Sequence, residues 1–146
     1  MSGIQTQKLT VVKVGGAILE DAESLSGFLD RFVALPGLKI LVHGGGRAAT
    51  RMAAKLGIES KMVEGRRITD AETLEIVTMV YGGLVNKNTV AALQARDCNA
   101  AGFTGADLNL VKASKRPVAD IDYGFVGDIT AVQSGEFANL LQLGIT

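Results

Sequence analysis

The sequence predicts an α/β fold, a three-layer αβα sandwich on a mostly parallel, open sheet. Two observations point there. Apolar, β-branched runs alternate with segments of helical spacing over residues 9–57, the strand–helix–strand–helix order of parallel strands joined by crossover helices. Both runs also end abruptly in glycine, at Gly15-Gly16 and at Gly44-Gly45-Gly46, where a chain leaving the carboxyl edge of a sheet turns close to its neighbours.

Each element has its own signal. Leu9 to Val14 reads as a first buried strand. Asp21 is placed to cap a helix from Ala22 to about Leu35, with Leu25, Phe28, Leu29 and Phe32 on one face, and Pro36-Gly37 stops it. Leu38 to Val42 is a second buried strand. A helix from Arg47 to Leu56 follows, with Met52, Ala53 and Leu56 inward and Gly57 as its stop. Residues 61–69 form a small hairpin turning near Gly65. Thr69 and Glu72 have capping-box spacing and start a long helix to about Arg96. Gly82-Gly83 in its middle costs about 1 kcal/mol per glycine relative to alanine, and marks either a close approach or a kink. Cys98 to Phe103 and Leu110 to Ala113 read as strands, residues 123–129 as a hairpin, and Ser134 to Leu143 as a last helix stopped by Gly144.

Composition narrows the function. The 146 residues make one domain, with 15 basic and 15 acidic side chains, so no net field favours nucleic acid or an anionic membrane. No apolar run reaches the roughly 20 residues a membrane span needs, and the polar N-terminus, Met1 to Lys8, lacks the apolar core of a signal peptide. The single cysteine, Cys98, excludes an intrachain disulfide and reads as buried packing in a reducing, cytoplasmic setting.

Lys13 is a charged residue in an otherwise apolar strand, two positions before Gly15, so it must reach solvent, a counter-charge or a ligand. Glycine turns expose backbone N–H groups, and the helices after them turn their partly positive ends the same way. Together these form an anion-handling site. It lacks the P-loop pattern Gly-x-x-x-x-Gly-Lys-Ser/Thr. His43 to Ala49 does not complete a dinucleotide fingerprint either, although Ala49 is a permissive sixth position, so a dinucleotide-binding domain stays open as a third reading. His43, the only histidine, reads as a turn-stabilising residue.

Six motifs occur in order: Lys13-Val14-Gly15-Gly16, Leu41 to Gly46, Gly65-Arg66-Arg67-Ile68-Thr69, Asn86-Lys87, Gly105-Ala106-Asp107 and Gly124 to Asp128. In order and spacing they resemble the acetylglutamate kinases of the amino-acid kinase family, and the arginine hairpin separates these from aspartate, uridylate and carbamate kinases. The resemblance implies ATP-dependent phosphorylation of the side-chain carboxylate of N-acetyl-L-glutamate in arginine biosynthesis, with Mg²⁺ accompanying ATP and no metal held by these residues. It assigns Lys13 to stabilising the transferring phosphoryl group. Gly15, Gly16 and Gly44 are assigned to phosphate, Gly45 and Gly46 to the acyl-amino acid, and Arg67, ahead of its competitor Arg66, to the substrate α-carboxylate. It also implies a homodimer through the 70–96 helix.

The family is longer. Residues 1–146 match its acylamino-acid-binding half and carry no counterpart of the ATP-binding C-terminal half, so the expectation is a truncated kinase fold that binds nucleotide poorly and does not turn over alone. Two alternatives stay open: a non-catalytic acylamino-acid-binding or dimerisation module, and a kinase acting on N-succinylglutamate. The extra charge of a succinyl group would want another cation, for which Arg66 and Lys61 are candidates.

Overall fold

The computed structural model describes residues 8–146. Met1 to Gln7, the greater part of the polar N-terminal stretch, lies outside them. Strands β1 (Leu9–Val14) and β2 (Leu38–His43) pair in parallel, from Leu9 opposite Leu38 to Val14 opposite His43. The crossover contains α1 (Gly16–Glu20) and α2 (Ala22–Val33). The Asp21 carboxylate caps α2 by accepting the Ser24 N–H at 2.8 Å. At the far end the Lys39 ammonium donates to the Val33 and Leu35 carbonyls at 2.6 and 3.0 Å, where a cation complements the helix dipole.

The apolar stripe of α2 explains how the pair is covered. Leu29 and Phe32 are buried with Leu93, Cys98 and Ala100, and Val12 and Leu41 lean on the same cluster. Helices therefore cover only one face. The other carries Leu9, Val11 (59% exposed) and Val42 in solvent. This corrects the reading of buried strands: within β1 only Val14 is buried, because alternate side chains point to opposite faces and one face has no helix against it among the described residues.

Helix α3 (Gly46–Lys55) packs Ala49 and Ala53 against Ile76 and Val80, a second core. Leu56, expected inward, is exposed because the helix ends at Lys55 and Leu56 is its cap. The hairpin pairs β3 (Met62–Val63) with β4 (Arg66–Arg67) through Glu64 and Gly65, both at positive φ, the backbone of a two-residue primed turn.

The long helix consists of α4 (Ala71–Thr78), a π-helical stretch over Met79–Val85 and α5 (Asn86–Gln94). Its cap is Asp70, which accepts the Thr73 N–H at 2.9 Å, and not Thr69. Thr69 is occupied elsewhere: its N–H donates to the Tyr123 carbonyl and its carbonyl accepts from Phe125, a bridge alongside Gly124. The glycine pair lies in the wide π turn, and a Cβ on Gly82 would meet the Thr104 methyl at 3.1 Å.

Cys98 to Phe103 does not form the strand expected of it. The Cys98 N–H closes the preceding helix on the Leu93 carbonyl at 3.1 Å, and otherwise the segment's backbone pairs with that of Thr146, which donates to Asn99 at 2.8 Å and accepts from Ala101 at 3.2 Å. Beyond it β5 (Val111–Lys115) and β6 (Gly127–Val132) make an antiparallel pair whose β6 side is exposed throughout. Helix α6 (Ser134–Gln142) closes the described chain, with Leu141 buried and Gly144 at positive φ. An open, mainly apolar cleft of about 370 Å³ separates Ile40 and Val42 from residues 100–105 and from Phe137 and Leu140.

Candidate functional site

The parallel register puts both glycine turns at the same carboxyl edge, one residue beyond the Val14–His43 pair. Lys13, opposite Val42, projects on the open face; it is exposed and has no ion pair or hydrogen bond among the described residues. Gly15 precedes α1 with nothing within 4 Å of where a Cβ would stand, whereas a Cβ on Gly16 would meet the methylenes of Arg47 at 3.6 and 3.7 Å. The Arg51–Glu20 ion pair, at 2.6 Å, ties α3 to α1 beside them.

The second turn is more tightly held. Gly45 is the N-cap of α3 and is buried. A Cβ there would stand 2.7 Å from the Tyr81 ring, so glycine is required by the close approach of an aromatic side chain. The backbone N–H groups of Gly45 and Gly46 donate to nothing among the described residues, which leaves them free for an acceptor at a helix N-terminus. The His43 imidazole meets the Gly44 carbonyl through Nδ1 at 2.9 Å and the Asn86 amide through Nε2 at 3.2 Å.

Arg67 reaches this turn from the hairpin. One guanidinium nitrogen donates to Ser60 Oγ at 2.6 Å, and the other to the Gly46 carbonyl at 3.1 Å and Thr50 Oγ1 at 2.8 Å. Thr50 in turn donates to the Gly46 carbonyl at 3.0 Å. The structure therefore brings Arg67 together with Gly44, Gly45 and Gly46, and sets Lys13, Gly15 and Gly16 beside them. It places Arg66 in solvent, where its charge helps hold the Asp128 carboxyl below the ordinary range, a shift caused chiefly by the hydrogen bond from Arg116. Lys61 acts likewise on Asp70, whose carboxyl is lowered chiefly by its bond from the Thr73 N–H.

Sequence reasoning missed Arg47, Thr50, Ser60 and Tyr81. Tyr81 had a signal, as the only aromatic residue between Thr69 and Arg96. Ser60 and Thr50 had none, because their partner is set by a contact between distant elements. No group of three or more metal-ligating side chains gathers among the described residues, and no described helix is long and apolar enough to cross a membrane.

With this geometry in view, comparison with known proteins finds the model of the amino acid kinase family matching residues 8–146. The chain belongs to the amino acid kinase family. Within it, the chain is 63% identical over 139 residues to an acetylglutamate kinase of Phocaeicola vulgatus, covering 95% of this chain and 54% of that protein. An acetylglutamate kinase of Cytophaga hutchinsonii is 59% identical over 141 residues, at 96% and 53% coverage, and one of Methanopyrus kandleri is 39% identical over 140 residues, at 93% and 54%. The chain thus spans about half the length of the relatives it matches. Among solved structures it resembles smu.665 of Streptococcus mutans (TM-score 0.75, 22% identity, 94% of this chain and 56% of that one). It also resembles N-acetylglutamate synthase of Neisseria gonorrhoeae complexed with coenzyme A and N-acetyl-glutamate (TM-score 0.71, 22% identity, 94% and 32%). At that identity the likeness concerns the amino acid kinase fold alone.

Proposed function

We propose that the chain is the acylamino-acid-binding half of an ATP-dependent kinase that phosphorylates the side-chain carboxylate of N-acetyl-L-glutamate. The observation that carries this is the convergence of Arg67 on Gly46, beside the free N–H groups of Gly45 and Gly46. A guanidinium and two neighbouring unpaired amides suit a small dicarboxylate, the first by a charge-assisted hydrogen bond and the second by backbone donation.

The chemistry asks little else of the protein. A glutamate side chain has an ordinary pKa of about 4.3, so the nucleophile is ionised at neutral pH and no general base is needed. The barrier is the approach of a carboxylate to an anionic phosphate. Lys13, with its charge free in solvent between the turns, offsets the negative charge that develops, and the Gly15-Gly16 turn lies against the phosphates; catalysis is by positioning and electrostatics. ATP arrives with Mg²⁺, and its main site belongs to the half of the relatives that this chain does not span.

Calorimetry on the 146-residue chain tests the assignment. N-acetylglutamate binding that is weakened in Arg67→Ala, with no measurable ATP binding and no turnover, is the expected outcome. Robust phosphorylation of an acylglutamate by this chain alone would overturn the division into halves. Turnover restored by a supplied ATP-binding half separates the kinase from a purely ligand-binding module.

One observation favours a second substrate, N-succinylglutamate. Arg47 stands between the turns, exposed and without an anionic partner among the described residues, where a further carboxylate would be welcome. Arg47→Ala lowering affinity for the succinyl but not the acetyl compound supports it; equal affinities in both proteins exclude it. The same reading includes a cytoplasmic homodimer formed through the 70–96 helical run, which exposes Met79 and Leu84 beside Gly83. Sedimentation of Leu84→Glu, expected to shift towards monomer, checks the dimer.

A further inference from the structure

Asn86 stands out among the buried polar side chains. It is 5% exposed, and its Oδ1 has no hydrogen-bond partner among the described residues. Leaving a buried acceptor unpaired is unfavourable, and folds seldom do so without a return elsewhere. The other end of the amide explains the arrangement. The Gly44 carbonyl can only accept, so His43 Nδ1, at 2.9 Å, must carry the ring proton. In the neutral ring Nε2 is then an acceptor, and Asn86 must present its NH₂ to it, at 3.2 Å. That choice turns Oδ1 towards Gly102, where an added Cβ would stand only 1.8 Å away. Glycine at 102 makes room for an oxygen that no donor meets.

The consequence runs through the backbone. A peptide unit is planar and trans, so its C=O and the N–H of the next residue point in opposite directions. Tying the Gly44 carbonyl to the imidazole aims the Gly45 N–H away from the ring. We propose that His43 and Asn86 are positioning residues of the acceptor site: Asn86 holds the imidazole as its Nδ1–H tautomer, and that tautomer fixes the Gly44–Gly45 peptide so that the Gly45 amide is presented to the bound carboxylate. The choice of ligand rests on the function proposed above; the tautomer and the peptide orientation do not.

The whole 146-residue chain suffices for the test, because it contains a single histidine. Nitrogen-15 NMR of the neutral ring is expected to show a protonated Nδ1 and a bare Nε2. Three variants then separate positioning from packing, each checked for a dispersed amide spectrum. Asn86→Ala and His43→Gln remove one link each, and should displace the Gly45 amide resonance and weaken N-acetylglutamate binding roughly 3- to 10-fold, the worth of one net hydrogen bond. His43→Asn keeps a donor where Nδ1 stood, and should bind within about 2-fold of the native chain. If Asn86→Ala does not fold, the two His43 variants decide. An Nε2–H tautomer in the native chain, or an unmoved Gly45 amide in His43→Gln, overturns the proposal. Equal loss in His43→Asn and His43→Gln does so as well. Should the native chain bind no N-acetylglutamate while the tautomer and the amide shift are as expected, it is the functional reading that fails and the positioning pair that stands.

Discussion

The two glycine turns lie side by side at one edge of the sheet and are built in opposite ways. Gly44, Gly45 and Gly46 are braced on three sides, by the His43 imidazole, the Tyr81 ring and the Arg67 guanidinium. A Cβ on Gly15 would meet nothing within 4 Å, one on Gly16 would meet only an exposed arginine, and Lys13 has no partner among the described residues. The contrast fits the division of labour proposed for them. A site that must orient a small, flexible dicarboxylate gains from donors fixed in advance. A site that meets a phosphate carried by another part of the protein gains from room and a mobile charge.

Substitutions can break that contrast, and the largest effects should fall on chemistry. On the function proposed above, Lys13→Met in the chain supplied with an ATP-binding half should lower kcat by about 10²- to 10³-fold. In the present chain it should change stability by less than about 0.5 kcal/mol, because the side chain has no partner to lose. A stopped assay and a urea titration give the two numbers. Arg67→Ala should weaken N-acetylglutamate binding by about 1.5–3 kcal/mol, the range of a hydrogen bond to a charged group, as read by calorimetry. Next comes the backbone itself. Gly45→Ala forces a methyl against Tyr81 and should cost about 1–3 kcal/mol in a denaturant titration, with Tyr81→Leu restoring part of it. Gly15→Ala should stay within about 0.5 kcal/mol. Similar values for the two glycines would erase the distinction between a braced and an open turn.

The smallest effect is electrostatic. Asp21 and Asp70 cap α2 and α4, and their carboxyls are held below the ordinary range by hydrogen bonds from Ser24 and Thr73. A carboxyl lowered in the folded state contributes stability that is complete above its unfolded pKa, near 4, and is lost as pH falls through the folded value. Urea midpoints should therefore hold steady from about pH 6 to 5 and fall below about pH 4. Asp70→Ala should flatten the part of that fall that its cap contributes.

What could be read from the sequence followed from backbone chemistry. Strands ending in glycine, a lysine just before one of them and a proline-glycine stop are local features, and local geometry keeps them where spacing puts them. The capping of α4 was misread because Thr69 and Asp70 both carry capping signals. A distant segment at Tyr123 to Phe125 decides between them by occupying the Thr69 backbone. Cys98 to Phe103 was misread because an apolar run says how much it wants burial and not which strand will pair with it. The placement of Arg67 lay beyond local reasoning altogether. Its acceptors are 7, 17 and 21 residues away in sequence, and only the fold makes them neighbours.

The π-helical turn carries a last consequence. A residue added to a regular α-helix would advance everything after it by about 100°; the wide π turn takes up that rotation, and α4 and α5 form one continuous rod. Upstream of the turn Ile76 faces Ala49 and Ala53; downstream Leu93 faces Leu29 and Phe32. The rod thus acts as a gear between two cores that a regular helix of the same composition would serve out of phase. Forcing Met79–Val85 into regular α-helical pitch at its present length would turn α5 away from Leu29 and Phe32, so that the more regular helix would make the less stable protein.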